Sequence, residues 1–214
     1  MFKKWFSKEE PVKSQVPEIM GLRLGGAFEL DALKLRLIEP NIFAEGIAKT
    51  QLIQAVGVVR LDESSTVLRY YTDDDAFLQV VLSGGMTENH IEDVKLWHFY
   101  DTKAVDTESA WNNLIDHQIS QMRYVLEESY FEPVWKSMEG IGRPVAMTER
   151  TYTEETVWSE TDQFAMLYER SIDGEDYEFL MAVGEEKLEG QHFDRCFVLS
   201  TGINLQPADI TIIG

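Results

Sequence analysis

Apolar and polar residues alternate along GLRLGGAFELD and LKLRLIE, on either side of Ala32, as they do in half-buried strands, and this alternation puts Leu33, Leu35 and Leu37 on one face. The next stretch, IAKTQLIQAVGVVRLD, is ambiguous at its start and ends in β-branched residues around Gly57. A glycine inside such a strand marks a bulge or a close approach of another group. STVLRYYT, DAFLQVVLSGG and EDVKLWHFYDT then follow at short spacings, the rhythm of an antiparallel meander.

One helix interrupts the strands. After Asp106 and Thr107 as candidate caps, Trp111, Leu114, Ile115, Ile119 and Met122 recur at steps of three and four, a stripe that continues through Val125 and Leu126. Such a helix covers one face of a sheet. SYFEPVW, with Pro133, ends it, and GIGRP marks a second break that places a sub-division near Gly140. Strand-length segments resume with PVAMTERTYT, QFAMLYERSI, YEFLMAVGEE, FDRCFVLST and ADITIIG.

The predicted class is therefore α+β, predominantly antiparallel β-sheet with one main amphipathic helix. LRYYTDDDAFLQVVL and MLYERSIDGEDYEFLMAV share an order of aromatic strand, acidic turn and aliphatic strand. That order fits a duplicated hairpin unit or a convergence of two acidic β segments. At the start of the chain, Pro11 and Pro17 bracket a polar stretch, so residues 1–18 read as a basic amphipathic tail and linker and 19–214 as the folded domain.

Charge narrows the function. The chain has 38 acidic and 19 basic residues, a formal charge of −19, which repels nucleic acid. Met1–Val16 holds Lys3, Lys4, Lys8 and Lys13 against Glu9 and Glu10, so a weakly basic tail precedes a strongly acidic body. No apolar run approaches the roughly 20 residues that span a bilayer, and the N-terminus lacks a signal peptide's apolar stretch. The expected location is the cytoplasm. The single cysteine, Cys196, beside Phe197, reads as a small buried hydrophobe on a strand.

The triplet Asp73, Asp74, Asp75 offers hard oxygen ligands for a divalent cation, but without the alternating spacing, central glycine and closing glutamate of a calcium loop. A turn explains it better, because aspartates there bond nearby backbone amides. Carboxylates at a turn can still receive a basic partner. His90, His98, His117 and His192 never fall at the spacing of a helical zinc pair, no serine lies in a nucleophile elbow, and no phosphate loop is present. No catalytic residue, cofactor or metal ligand is named on these grounds. In the tail, Phe2, Trp5 and Phe6 share one helical face with Lys3, Lys4 and Lys8 around it. Three roles fit: weak contact with anionic lipid, rings tucked into a groove on the body, or a frayed end.

RYYTDDDAFLQVVLSGG, LWHFYDT, RPVAMTERTY and LYERSIDGEDYEFL resemble the bacterial YjfK-like family, a domain of unknown function, from about Gly21 onward. The resemblance implies a cytoplasmic bacterial protein without established activity, encoded beside a PspA-like membrane stress protein, and it supplies no catalytic residues. Together these readings predict a nonenzymatic binding or adaptor protein, peripheral to the inner membrane, linked to envelope stress, with a protein partner such as the PspA-like protein. The alternatives are a small-molecule enzyme whose site is assembled from separate strands and a divalent-metal-binding module.

Overall fold

The computed structural model describes residues 16–135, 142–174, 176–190 and 192–213. In chain order the elements are β1 (Ala27–Leu30), α1 (Ala32–Ile38), β2 (Thr50–Arg60), β3 (Ser65–Thr72), β4 (Ala76–Ser83), β5 (Ile91–Ala104) and α2 (Glu108–Asn113). They continue with β6 (Tyr124–Leu126), β7 (Ser129–Pro133), β8 (Val145–Glu154), β9 (Val157–Asp173), β10 (Asp176–Glu189), β11 (His192–Asn204) and β12 (Ile210–Ile212).

Two four-strand meanders, β2–β3–β4–β5 and β8–β9–β10–β11, pair at both seams, β5 with β11 and β2 with β8. The result is a closed ring of eight antiparallel strands, which leaves no open edge within the ring. In this ring the β3–β4 and β9–β10 hairpins, which carry the two similar sequences, occupy equivalent places in the two meanders. Outside the ring, β1 pairs with the start of β2 and carries β12, while β7 pairs with β9 and carries β6.

Each meander has its own outer layer. Leu68, Tyr70, Leu78, Val80 and Leu96 pack outward against Val16, Leu22, Phe28, Leu35 and Ile210 of the N-terminal layer. Met166, Tyr168, Leu180, Ala182 and Leu199 pack against Trp111, Leu114, Ile119 and Phe131. Gly184 lets this second layer sit close, since a Cβ there would lie 2.7 Å from Ile115 Cδ1. Because Val16 is buried, the packed chain begins before Ile19.

Two predicted elements differ. LKLRLIE is the helix α1 rather than a strand: the Asp31 carboxylate accepts from the Leu33 and Lys34 N–H groups, both at 2.8 Å, and nucleates a first turn of good helix formers. Only Leu35 is buried, while Leu33 and Leu37 are 64% and 67% exposed. The single long amphipathic helix is also absent, so among the described residues the α component is two short helices on a mostly antiparallel β-structure. From the Thr107 cap, α2 passes into one π turn, Leu114–Gln118. There the Tyr168 hydroxyl donates to Ile119 O at 2.6 Å and accepts from Gln121 N at 2.8 Å, stopping the helix. Val125 and Leu126 belong to β6, and Pro133 ends β7 rather than a helix. Gly140 lies outside the described residues.

Candidate functional site

The inner face of the barrel follows from strand alternation. With Leu68 and Tyr70 turned outward, Arg69 and Tyr71 of β3 point into the lumen and reach β8 and β9, strands that do not neighbour β3. Arg69 Nη1 lies 2.5 Å from Glu149 Oε2 and 2.7 Å from Gln163 Oε1, and its Nε lies 3.2 Å from Gln79 Oε1. Arg69 and Glu149 are 4% and 1% exposed. The Tyr71 hydroxyl donates to Glu149 Oε1 at 2.7 Å, and Thr151 Oγ1 adds a longer bond of 3.3 Å. Gln163 Nε2 bridges two carboxylates, Glu149 at 3.0 Å and Glu185 at 2.9 Å. Cys196 Sγ sits 3.7 Å from the other Glu185 oxygen.

Gly57 admits this network. A Cβ on Gly57 would lie 1.8 Å from Glu149 Oε1, so any other residue would displace the carboxylate. The sequence signal at Gly57 therefore marks a close approach.

Beside this network the inner cluster is apolar, with Ala165, Met181, Val183 and Val198 packed around a run of aromatic rings. Tyr71 and Phe77 rings lie 5.2 Å apart, Phe77 and Trp97 6.2 Å, and Trp97 meets Phe179 edge-on at 6.5 Å. Lys95 Nζ stands 4.4 Å from the Phe179 ring centroid and is held by both Asp93 oxygens, at 2.7 and 2.6 Å. Gly202 makes room for the indole, since a Cβ there would lie 2.5 Å from Trp97 Cε3. Phe77, Trp97, Glu149 and Gln163 are each at most 3% exposed, so the protein's own side chains fill the barrel.

The electrostatics suit a sealed network. Burial works against the Arg69 charge, but Glu149 and then Tyr71 beside it together more than offset this and hold the guanidinium above its ordinary pKa. Burial, then the Glu149 charge, pushes Tyr71 well up, so its hydroxyl remains a donor. Burial and the Glu149 charge also raise Glu185, against the opposing pull of Arg69. Glu185 thus shares the pull of Arg69 with Glu149, and its carboxyl holds a proton more tightly than an exposed one. Burial, followed by Glu185, pushes the Cys196 thiol up to about 12, where it is no nucleophile at neutral pH. His192 is exposed at the start of β11, four residues from Cys196 along a strand.

The aspartate triplet forms a turn that fastens the start of β2. Asp73 Oδ1 accepts from Leu52 N at 2.9 Å, and Asp74 Oδ2 accepts from Ala48 N at 2.9 Å and Gln51 Nε2 at 2.8 Å. Asp75 is exposed and takes a positive φ of 48°, a conformation aspartate tolerates. His98 Nε2 lies 3.6 Å from Asp74 Oδ2, beyond hydrogen-bond length, and burial outweighs that carboxylate to lower its pKa. No group of three or more His, Cys, Asp or Glu side chains among the described residues is arranged to hold a metal ion. Phe2, Lys3, Lys4, Trp5 and Phe6 lie outside the described residues.

Sequence reasoning singled out none of Arg69, Glu149, Gln163 and Glu185. The available signal was a charged or amide residue inside a strand whose two faces are both otherwise apolar, as Arg69 is in VLRYYT.

The DUF2491 family model, described as a protein of unknown function, matches residues 1–211. The chain belongs to the DUF2491 family. It is also similar to the uncharacterized protein YjfK of Escherichia coli (strain K12), 29% identical over 218 residues that cover 100% of this chain and 98% of the relative. No solved structure matches it. The DUF2491 match starts at residue 1, so the tail lies inside the family and the likeness is wider than the span from Gly21 that its motifs suggested. No helix among the described residues is long and apolar enough to cross a membrane.

Proposed function

We propose that this DUF2491 chain is a nonenzymatic adaptor that binds through its outer surface, with its tail in weak peripheral contact with the inner face of the cytoplasmic membrane. The observation that carries this reading is the filled lumen. Barrels that carry a small molecule inside them keep an internal space for it, whereas here Arg69, Glu149, Trp97 and Phe77 take that space. Function then falls to the outside. Residues 17–214 carry a net −21, which suits a basic protein surface, and the PspA-like membrane stress protein is the partner the family resemblance suggests.

Lipid contact is weak by construction. Each tail lysine near an anionic surface contributes about 1 kcal/mol, and the acidic body opposes approach within a Debye length of about 8 Å. The test is vesicle co-sedimentation of the full chain and of a chain lacking residues 1–8. Binding that needs anionic lipid, fades with salt and disappears on deletion with an unchanged melting midpoint is the expected result. Deletion that lowers the midpoint by several degrees, with no vesicle binding by either chain, would make the tail a structural element.

A second reading, a small-molecule enzyme, has one observation in its favour: Arg69, Glu149, Gln163 and Glu185 come from four different strands, as such a site would. Turnover in an esterase, phosphatase or nucleotide-hydrolysis panel that is lost in E149Q or E185Q would support it over the adaptor.

A further inference from the structure

The short strand β12 ends the N-terminal layer and has β1 as its only partner among the described residues. Asp31 N donates to Asp209 O and Ile213 N to Ala27 O, so the groups of Thr211 between them face β1, whereas those of Ile210 and Ile212 face away. Ile210 N–H is taken by Pro207 O. Ile210 C=O and both backbone groups of Ile212 have no partner among the described residues.

This open edge borders a groove of about 590 Å³. Across it lies the start of β5, where Ile91, Glu92 and Asp93 run past the last pairing with β11, Asn204 opposite Lys95, and keep β4 alone as a neighbour. Met20, Ile91 and Ile212 give the groove apolar walls, Glu88, Glu92 and Asp93 give it charge, and no Lys or Arg lines it. Lys95 holds Asp93 at 2.6 Å, whereas Glu88 and Glu92 are exposed and form no ion pair among the described residues.

We propose that this groove takes an extended, basic segment of a partner protein as a strand added to β12. Run antiparallel, such a segment exchanges two main-chain bonds with Ile212 and donates a third to Ile210 C=O. Its alternate apolar side chains continue the face of Ile210 and Ile212, while Lys or Arg beside them meets Glu88 and Glu92. Charge selects this occupant over a second copy of the chain, because pairing two β12 edges would bring together two acid-lined grooves in chains that each carry −19. This docking rests on the adaptor reading and gives its basic partner a place on the body.

The test is a backbone-amide NMR titration of the full chain with a capped heptapeptide of alternating Lys and Val, with its Glu–Val counterpart, and with the Lys–Val peptide N-methylated on its central residues. The Lys–Val peptide should shift residues 210–213 and 91–93 saturably, and the other two should not. E88Q/E92Q should weaken it about fivefold with an unchanged melting midpoint, since both side chains are exposed and unpaired. Parent-like affinity in E88Q/E92Q, or equal binding by the N-methylated peptide, overturns the added strand. Shifts elsewhere on the acidic surface, with residues 210–213 unmoved, overturn the groove and leave a basic partner standing. No shift anywhere from the Lys–Val peptide overturns the groove and the basic partner together. A dimer of the free chain that the Lys–Val peptide dissociates would make a second copy the native occupant and overturn the basic one.

Discussion

Gly57 and Gly202 do the same steric work on two sides of the lumen, yet what they admit differs. Gly57 makes way for the Glu149 carboxylate, and Gly202 for the Trp97 indole. On the aromatic side a ring needs volume and contact, and a poor fit loses part of both. On the charged side each group also needs its partner, because a buried guanidinium or carboxylate left alone costs far more than a gap. A small change of shape should therefore cost less along Phe77, Trp97 and Phe179 than the loss of one partner costs along Arg69, Glu149 and Gln163.

The largest effect should come from breaking the charged side alone. R69M leaves Glu149 enclosed without its cation and should cost about 3–5 kcal/mol in guanidinium unfolding. G57A should follow at about 2–3 kcal/mol, with G202A smaller, because an indole and its strand can shift where a fixed carboxylate cannot. The comparison sharpens in an E149A background: the cost of G57A should nearly vanish there, whereas that of G202A should not change. Equal costs in both backgrounds would mean that Gly57 serves some role other than admitting Glu149.

Glu185 tests the charged side through pH. Its folded pKa is raised above the ordinary 4.5 by burial and by Glu149, so the folded state binds the proton more tightly than the unfolded state. The Glu185 contribution to stability is therefore fully present below 4.5 and is lost as pH rises through its folded pKa. E185Q removes the penalty. It should stabilise the protein at pH 7 and gain nothing below pH 4.5, as unfolding midpoints across that range would show. The smallest effect is kinetic: with its thiol pushed up to about 12, Cys196 should react with iodoacetamide at pH 8 far more slowly in the folded chain than in denaturant.

The strands were legible because most bury one or both faces and so carry strong β patterns. STVLRYYT matches β3 residue for residue, and DAFLQVVLSGG and EDVKLWHFYDT contain β4 and most of β5. Ring closure was not legible, since the pairings of β2 with β8 and β5 with β11 join segments that no local pattern relates. LKLRLIE misled because the Asp31 cap outweighed its alternation, and the helical stripe after Trp111 overran because the Tyr168 hydroxyl ends the helix from a distant strand. At the site only Gly57 was readable. Arg69 and Glu149, 80 residues apart in sequence, look like ordinary strand charges until the ring brings them together.

The double-mutant cycle at Arg69 and Glu149 tests most directly whether a charged network plugs this barrel. Guanidinium unfolding of the parent, R69M, E149Q and R69M/E149Q should give a coupling of about 2–3 kcal/mol, with the double variant more stable than the sum of the single losses implies. Losses that add to within about 0.5 kcal/mol would mean the two groups do not interact, and the plugged lumen would be contradicted.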